Sequence, residues 1–129
     1  MNVPANLLYT AEHEWILIEG DTATVGITDF AQEQLDELVY VEVDTVGEEL
    51  DRNEVFGTVE AVKTTSDLFM PVAGTVTEFN PQLDENDGDN PTLVNESPYE
   101  NGWIVKVKLS DPDDREGLLS AAEYEALIG

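Results

Sequence analysis

Short apolar runs separated by turns rich in glycine and acidic residues set the pattern of this chain. Residues 15–18, WILI, lead into a Gly20-Asp21 turn and then into 23–27, ATVGI, which predicts a β-hairpin. Residues 38–43, LVYVEV, form the next run, which passes Asp44 and ends near Gly47. Runs at 55–62, 68–70 and 74–79 follow. Residues 103–109, WIVKVKL, alternate clearly: the valines face one way, while Lys106 and Lys108 face the other and are expected to be structural or solvated.

Two stretches break this period-two pattern. Asp29 with Gln32 resembles a capping box and predicts a short helix over FAQEQLDEL, after the second strand. Ser120 with Glu123 is a second such pair, before YEALIG, and DPDDREGLL upstream carries the proline and acidic residues that favour a helix N-terminus. Helices are therefore expected across the tail, 111–129. The body is expected to be mainly β, a sandwich or compact barrel. An internal echo, GTVE at 57–60 and GTVT at 74–77, suggests that the two copies pair as a hairpin with Lys63 at or near its tip.

Composition bounds what such a fold can do. A chain of 129 residues, 41% hydrophobic, suits one domain over 1–129 with a modest core. With no cysteine there is no disulfide, thiolate nucleophile or thiolate metal site. No apolar run has membrane-spanning length, and MNVPANLLYTAEHEW lacks the basic-then-apolar order of a signal peptide, so a cytoplasmic protein is expected. The formal net charge of -24 argues against nucleic acid or anionic membrane as partners, since both are polyanions. An acidic, hydrated surface of this kind is typical of halophilic proteins, and a halophilic prokaryotic source is expected.

The candidates for chemistry are few. His13, the one histidine, lies between Glu12 and Glu14; it cannot build a multi-histidine metal site, and HEW lacks the HExxH spacing. It is either a surface or cap-filling residue or a support at a binding cleft. DENDGDN at 84–90 has the look of a calcium loop. Counted from Asp84, its glycine falls one position early and Asn95 stands where the closing glutamate belongs, so it reads as a solvated acidic loop with no metal. No phosphate-cradling glycine loop is present, and no catalytic constellation emerges.

Lys63 stands apart. The cations are Lys63, Lys106, Lys108, Arg52 and Arg115, against 29 acidic residues. Lys63 is either a salt-bridged surface lysine or, at a hairpin tip, an open amine displayed by a rigid scaffold. The second arrangement is what a modifying enzyme needs to acylate one particular amine.

VEAVKTTSDLFMPVAGTVTEFN resembles the lipoyl-lysine segment of the glycine cleavage H-protein family. YTAEHEW, VGITDFAQEQL, LVYVEV and PTLVNESPYENGWIVKVK resemble its other motifs in order, so the likeness covers roughly 7–109, and the helical tail suits it. Asp36 and Asp44 stand where the family usually shows glycine and proline, Thr64 stands where alanine is commoner, and 84–90 looks like an acidic insertion. The resemblance implies a barrel-sandwich hybrid of two antiparallel sheets, and a carrier rather than an enzyme. It implies lipoate amide-linked to Lys63. The partners implied are a pyridoxal-phosphate glycine decarboxylase that loads an aminomethyl group, a tetrahydrofolate-dependent aminomethyltransferase that takes it, and a dihydrolipoyl dehydrogenase that reoxidises the dithiol. A lipoate-attaching enzyme is implied as well.

Acylation would turn the Lys63 cation into a neutral amide, and a tethered arm visits several enzymes through effective concentration. The loaded arm carries a labile, cationic amine. It would gain from a docking site that is apolar along the arm and acidic at its end. Glu14 and Asp67 are the candidates, with His13 and Glu12 beside them, although in so acidic a chain they could equally belong to the general surface. A lipoyl or biotinyl domain of another complex remains open, as does an unmodified acidic module. Biotin domains usually flank the lysine with methionine, and acyltransferase lipoyl domains usually precede it with aspartate; here Val62 and Thr64 flank it.

Overall fold

The structure, a computed structural model, describes residues 2–129. In chain order the elements are β1 (Leu8–Tyr9), β2 (Glu14–Glu19), β3 (Thr22–Ile27), α1 (Asp29–Leu35), β4 (Leu38–Glu42), β5 (Glu49–Leu50), β6 (Val55–Ala61), β7 (Thr65–Phe69), β8 (Gly74–Phe79), α2 (Leu93–Glu96), β9 (Val105–Leu109) and α3 (Ala121–Ile128). The strands form a six-stranded sheet, β1-β2-β3-β9-β8-β5, and a three-stranded sheet, β4-β6-β7. Every ladder is antiparallel, which agrees with the mainly β expectation.

Strand alternation explains where the core sits. Trp15 and Ile16 are neighbours on β2 and point to opposite faces of the sheet. Ile16 joins Val25, Val41, Phe56, Val59 and Val107 in the main apolar cluster. Trp15 joins Leu7, Tyr9 and Tyr124 in a second cluster, so α3 is held by buried aromatics, with the Tyr9 and Tyr124 rings stacked at 4.8 Å. Each fully buried large apolar side chain contributes roughly 1.5–3 kcal/mol relative to exposure.

Three local expectations change. The cap of α1 is Thr28, whose hydroxyl accepts from the Ala31 N–H. Asp29 is the first helical residue and instead accepts from the Gln32 side chain at 2.7 Å. Residues 111–119 form turns, because Leu119 exchanges backbone hydrogen bonds with Tyr9 (2.9 and 2.7 Å) and Arg52 donates to the Glu116 carbonyl and the Asp114 carboxylate. The tail therefore carries one helix, α3, opened by the expected Ser120–Glu123 capping box. The two GTV copies do not pair with each other: β6 pairs with β7, while β8 pairs with β9 and β5 in the other sheet. The two-residue strands β1 and β5 are too short to leave a periodic signal.

Asp36 ends α1 with φ 67° and ψ −151°. This region is comfortable only for glycine, and a side chain held there costs on the order of 1–3 kcal/mol. The Asp36 N–H donates to the Gln32 carbonyl at 2.8 Å and its carbonyl accepts from Asn95 Nδ2 at 2.7 Å, so the surroundings impose the conformation. Glycine returns roughly 0.5–1 kcal/mol of that through unfolded-state entropy. Asp36→Gly is therefore expected to raise the thermal midpoint by a few degrees in a melting experiment. A lower midpoint would show that the Asp36 side chain outweighs the strain.

The charge has its own consequence. Among the described residues the ion pairs are Arg52–Asp114 at 3.0 Å, Arg52–Glu116 at 3.8 Å and Lys108–Asp21 at 3.5 Å. With 29 acidic residues and five Lys and Arg, most carboxylates have no cation to offset their mutual repulsion. At 1 M salt the screening length falls to about 3 Å. Molar potassium chloride is expected to raise the melting midpoint well above its low-salt value. A flat or falling midpoint would remove repulsion as the limit on stability.

Candidate functional site

The β6–β7 hairpin pairs Thr58 with Asp67, Val59 with Ser66 and Glu60 with Thr65. The Ala61 N–H donates to the Thr64 carbonyl at 2.7 Å and closes a tight turn with Val62 and Lys63 at its tip. Lys63 is exposed and forms no ion pair among the described residues, and Val62 beside it is 75% exposed. The tip is not loose. The Val62 N–H donates to the Glu37 carbonyl at 3.2 Å in the connection between α1 and β4.

That connection is itself clamped. Asn95 on α2 accepts from the Leu38 N–H at 3.0 Å and donates to Gln32 Oε1 at 3.0 Å and to the Asp36 carbonyl at 2.7 Å. In the sequence Asn95 registers only as a missing calcium ligand; nothing local marks it as the fastening of a distant turn. Segment 84–90 ties back on itself and on its approach: the Asp87 and Asp89 N–H groups donate to the Asp84 carbonyl, and the Asn90 N–H to the Gln82 carbonyl. Among the described residues no group of three or more His, Asp and Glu side chains could hold a metal ion, and no helix is long and apolar enough to cross a membrane.

Beside the hairpin lies a cleft of about 300 Å³ between the start of β2, one face of α1 and β7. Phe30, Leu35, Val59 and Leu68 supply apolar walls, and Glu12, His13, Glu14 and Asp67 also line it. The four docking candidates thus converge on one cleft, although the first three are more than 50 residues from Asp67 in sequence. Lys63 does not line the cleft; it stands on the turn from which β7 runs down to Asp67. The α1 wall passes unremarked in the sequence, although Phe30, Ala31, Gln34 and Leu35 recur at helical spacing and share one face.

The carboxylates differ. Asp67 is exposed at the rim. Glu14 is 2% exposed, so it does not belong to the solvated acidic surface. Its Oε1 accepts from the Thr10 hydroxyl at 2.9 Å and its Oε2 from the Phe69 N–H at 3.1 Å. Burial pushes its carboxyl up to about 7, against the opposing effect of those two hydrogen bonds. His13 sits at φ 68° and packs its ring 4.8 Å from Phe30. Its Nδ1 lies 2.9 Å from the Tyr124 hydroxyl, which lies 2.7 Å from Thr28 Oγ1. Burial lowers the His13 ring below its ordinary range, with Glu12 opposing.

A family model described as Glycine cleavage H-protein matches residues 7–129. Glycine cleavage system H proteins from Bacteroides fragilis and Prosthecochloris aestuarii are 56% and 54% identical to this chain. The matches cover 99% and 100% of this chain and 98% and 99% of those proteins, respectively. The crystal structure of a glycine cleavage system H protein from Mycobacterium marinum superposes with a TM-score of 0.85 at 37% identity, over 98% of this chain and 99% of that one. These sources give no support to the halophilic origin expected from the charge. With matches of this extent along its whole length, the chain belongs to the glycine cleavage H-protein family.

Proposed function

We propose that the chain is a non-catalytic carrier of the glycine cleavage system, acting as one domain over 1–129 with lipoate amide-linked to Lys63. The observation that carries this reading is an exposed amine, without an ion pair among the described residues, on a fastened two-residue turn next to an apolar cleft that ends in carboxylates. The residues fit the group. The tip is open for acylation, Phe30, Leu35, Val59 and Leu68 match a hydrocarbon arm, and Glu14 and Asp67 match a cationic cargo. When attached, lipoate supplies a dithiolane that can accept an aminomethyl group and electrons, sulfur chemistry that a cysteine-free chain lacks.

The partners we assign are a pyridoxal-phosphate decarboxylase acting on glycine, a tetrahydrofolate-dependent aminomethyltransferase, a flavin-dependent dihydrolipoyl dehydrogenase and a lipoate-attaching enzyme. The chain's own residues present the amine and shelter the cargo from water. The intact mass of the protein isolated from its native cells tests the reading. A single lipoyl increment, mapped to Lys63, is expected. A biotinyl increment, or the bare polypeptide mass, overturns it.

Asp67 carries a separate expectation. An exposed carboxylate in a partly shielded charge pair contributes about 1 kcal/mol or less. Asp67→Asn should leave lipoylation intact and shorten the lifetime of the loaded carrier a few-fold, read as formaldehyde released from the isolated protein at molar salt. An unchanged lifetime would return Asp67 to the solvated surface.

A further inference from the structure

The cleft has one cationisable side chain, His13, facing a space read above as the shelter of a positively charged cargo. A protonated imidazole there would repel that cargo. The hydrogen bonds behind the ring bear on whether it protonates.

The Thr28 N–H donates to the His13 carbonyl at 3.0 Å, so the two residues are fastened through the backbone. The Tyr124 hydroxyl then bridges their side chains. Thr28 and Tyr124 are both fully buried. Thr28 Oγ1 already accepts from the Ala31 N–H. Its own proton needs an acceptor, and among the described residues its remaining partner is the Tyr124 oxygen. The Tyr124 proton is then free for His13 Nδ1. This direction uses every hydroxyl proton. The reverse, with Nδ1–H donating to Tyr124 and Tyr124 donating to Thr28, leaves the Thr28 proton buried without a partner, which is unfavourable.

We propose that Tyr124, reaching from the C-terminal helix, is a positioning residue that holds His13 as the neutral, Nε2-protonated imidazole at the cleft and so keeps the cleft receptive to a cationic cargo. Protonating Nδ1 turns the Tyr124 proton away from the ring, and either that proton or the Thr28 proton is then buried without an acceptor among the described residues. Of the carboxylates around the cleft, Glu12 next in sequence and Asp67 on β7 favour the imidazolium, as does Glu14 on β2 once it is ionised. The Thr28–Tyr124 relay and the burial of the ring against Phe30 oppose it. The inference rests on the cleft reading for its purpose but not for its structure. It gives α3 a role: Tyr124 crosses 111 residues of sequence to reach His13.

His13 is the single histidine of the chain, so one imidazole appears in a long-range ¹H–¹⁵N correlation spectrum. The unlipoylated full-length protein at pH 8 is expected to show the Nε2–H tautomer. Tyr124→Phe keeps the ring and its stack on Tyr9, and is expected to lose that preference and give a tautomer mixture. An Nδ1–H tautomer in the unmutated protein, or an unchanged Nε2–H preference in Tyr124→Phe, overturns the proposal. Loaded carrier bearing Tyr124→Phe should release formaldehyde several-fold faster at pH 6 than the unmutated protein and nearly equally at pH 9. Equal rates at both values would detach the tautomer from cargo protection and overturn that part. Failure of the cleft reading itself looks different: Glu14 and Asp67 variants would then keep full lifetimes while the His13 tautomer stays as predicted.

Discussion

Lys63→Arg is expected to fold like the unmutated protein and to carry no lipoyl group. The side chain is exposed, free of ion pairs among the described residues, and sits on a turn held by backbone hydrogen bonds, so its exchange should change stability by no more than about 0.5 kcal/mol. Arginine keeps charge and bulk but is not acylated by lipoate-attaching enzymes. Glycine cleavage in a reconstituted system should therefore fall to background, a loss without partial values. Lys106 and Lys108 offer no substitute. They lie in mid-strand on β9, Lys106 over the Trp103 ring at 5.0 Å and Lys108 beside Asp21 at 3.5 Å. Mass spectrometry of peptides checks this directly. Lipoate found on Lys106 or Lys108 of the unmutated protein would defeat it.

Glu14→Gln is expected to remove a slope in the dependence of stability on pH. The folded-state carboxyl is raised to about 7 by burial, above an ordinary value of about 4.3. Between those two values the folded chain holds a proton that the unfolded chain releases. Stability from this group is therefore fully present below the lower value, is lost as pH rises, and is gone above about 7. The difference is on the order of 3–4 kcal/mol. Glutamine has nearly the shape of the protonated acid, carries no charge at any pH in this range, and its oxygen can still accept from the Phe69 N–H. Denaturant titrations from pH 4.5 to 8 at molar salt, where surface repulsion is screened, should show the slope in the unmutated protein and a flatter line in the variant. Parallel lines would place the slope elsewhere.

The same substitution should shorten the life of the loaded carrier. An ionised Glu14 is a buried charge without a cation, which disfavours the empty fold and favours whatever brings a positive group into the cleft. Losing that interaction costs about 1–3 kcal/mol, so formaldehyde release at pH 8 should quicken by about 5-fold or more. A lifetime equal to that of the unmutated carrier, in this variant and in Asp67→Asn alike, would leave both acids without a part in protecting the cargo.

What the sequence determined by itself is local. Period-two alternation located the major strands, because side chains on a strand alternate faces whatever the strand pairs with. The Ser120–Glu123 box opened α3 because both partners lie within one helical turn. Lys63 was placed at or near a hairpin tip through a pairing of the two GTV phrases that does not form; the turn that displays it closes between β6 and β7, and the family motifs carried the rest of the assignment. The tertiary structure decided everything that depends on a distant partner. Two GTV phrases of similar propensity went to different sheets because pairing is chosen by core packing and register, not by likeness. Thr28 displaced Asp29 as the cap in the company of Tyr124, a residue 96 positions away. Residues 111–119 gave up their helical start signals to a backbone pairing with Tyr9 and a brace from Arg52. Glu14 reads as one acid among 29, and only the chain packed around it turns that carboxyl into a buried group that titrates near neutrality. Desolvation is a property of the surroundings, and the surroundings of Glu14 are assembled from Thr10 after β1, the cleft face of α1 and Phe69 on β7 at once.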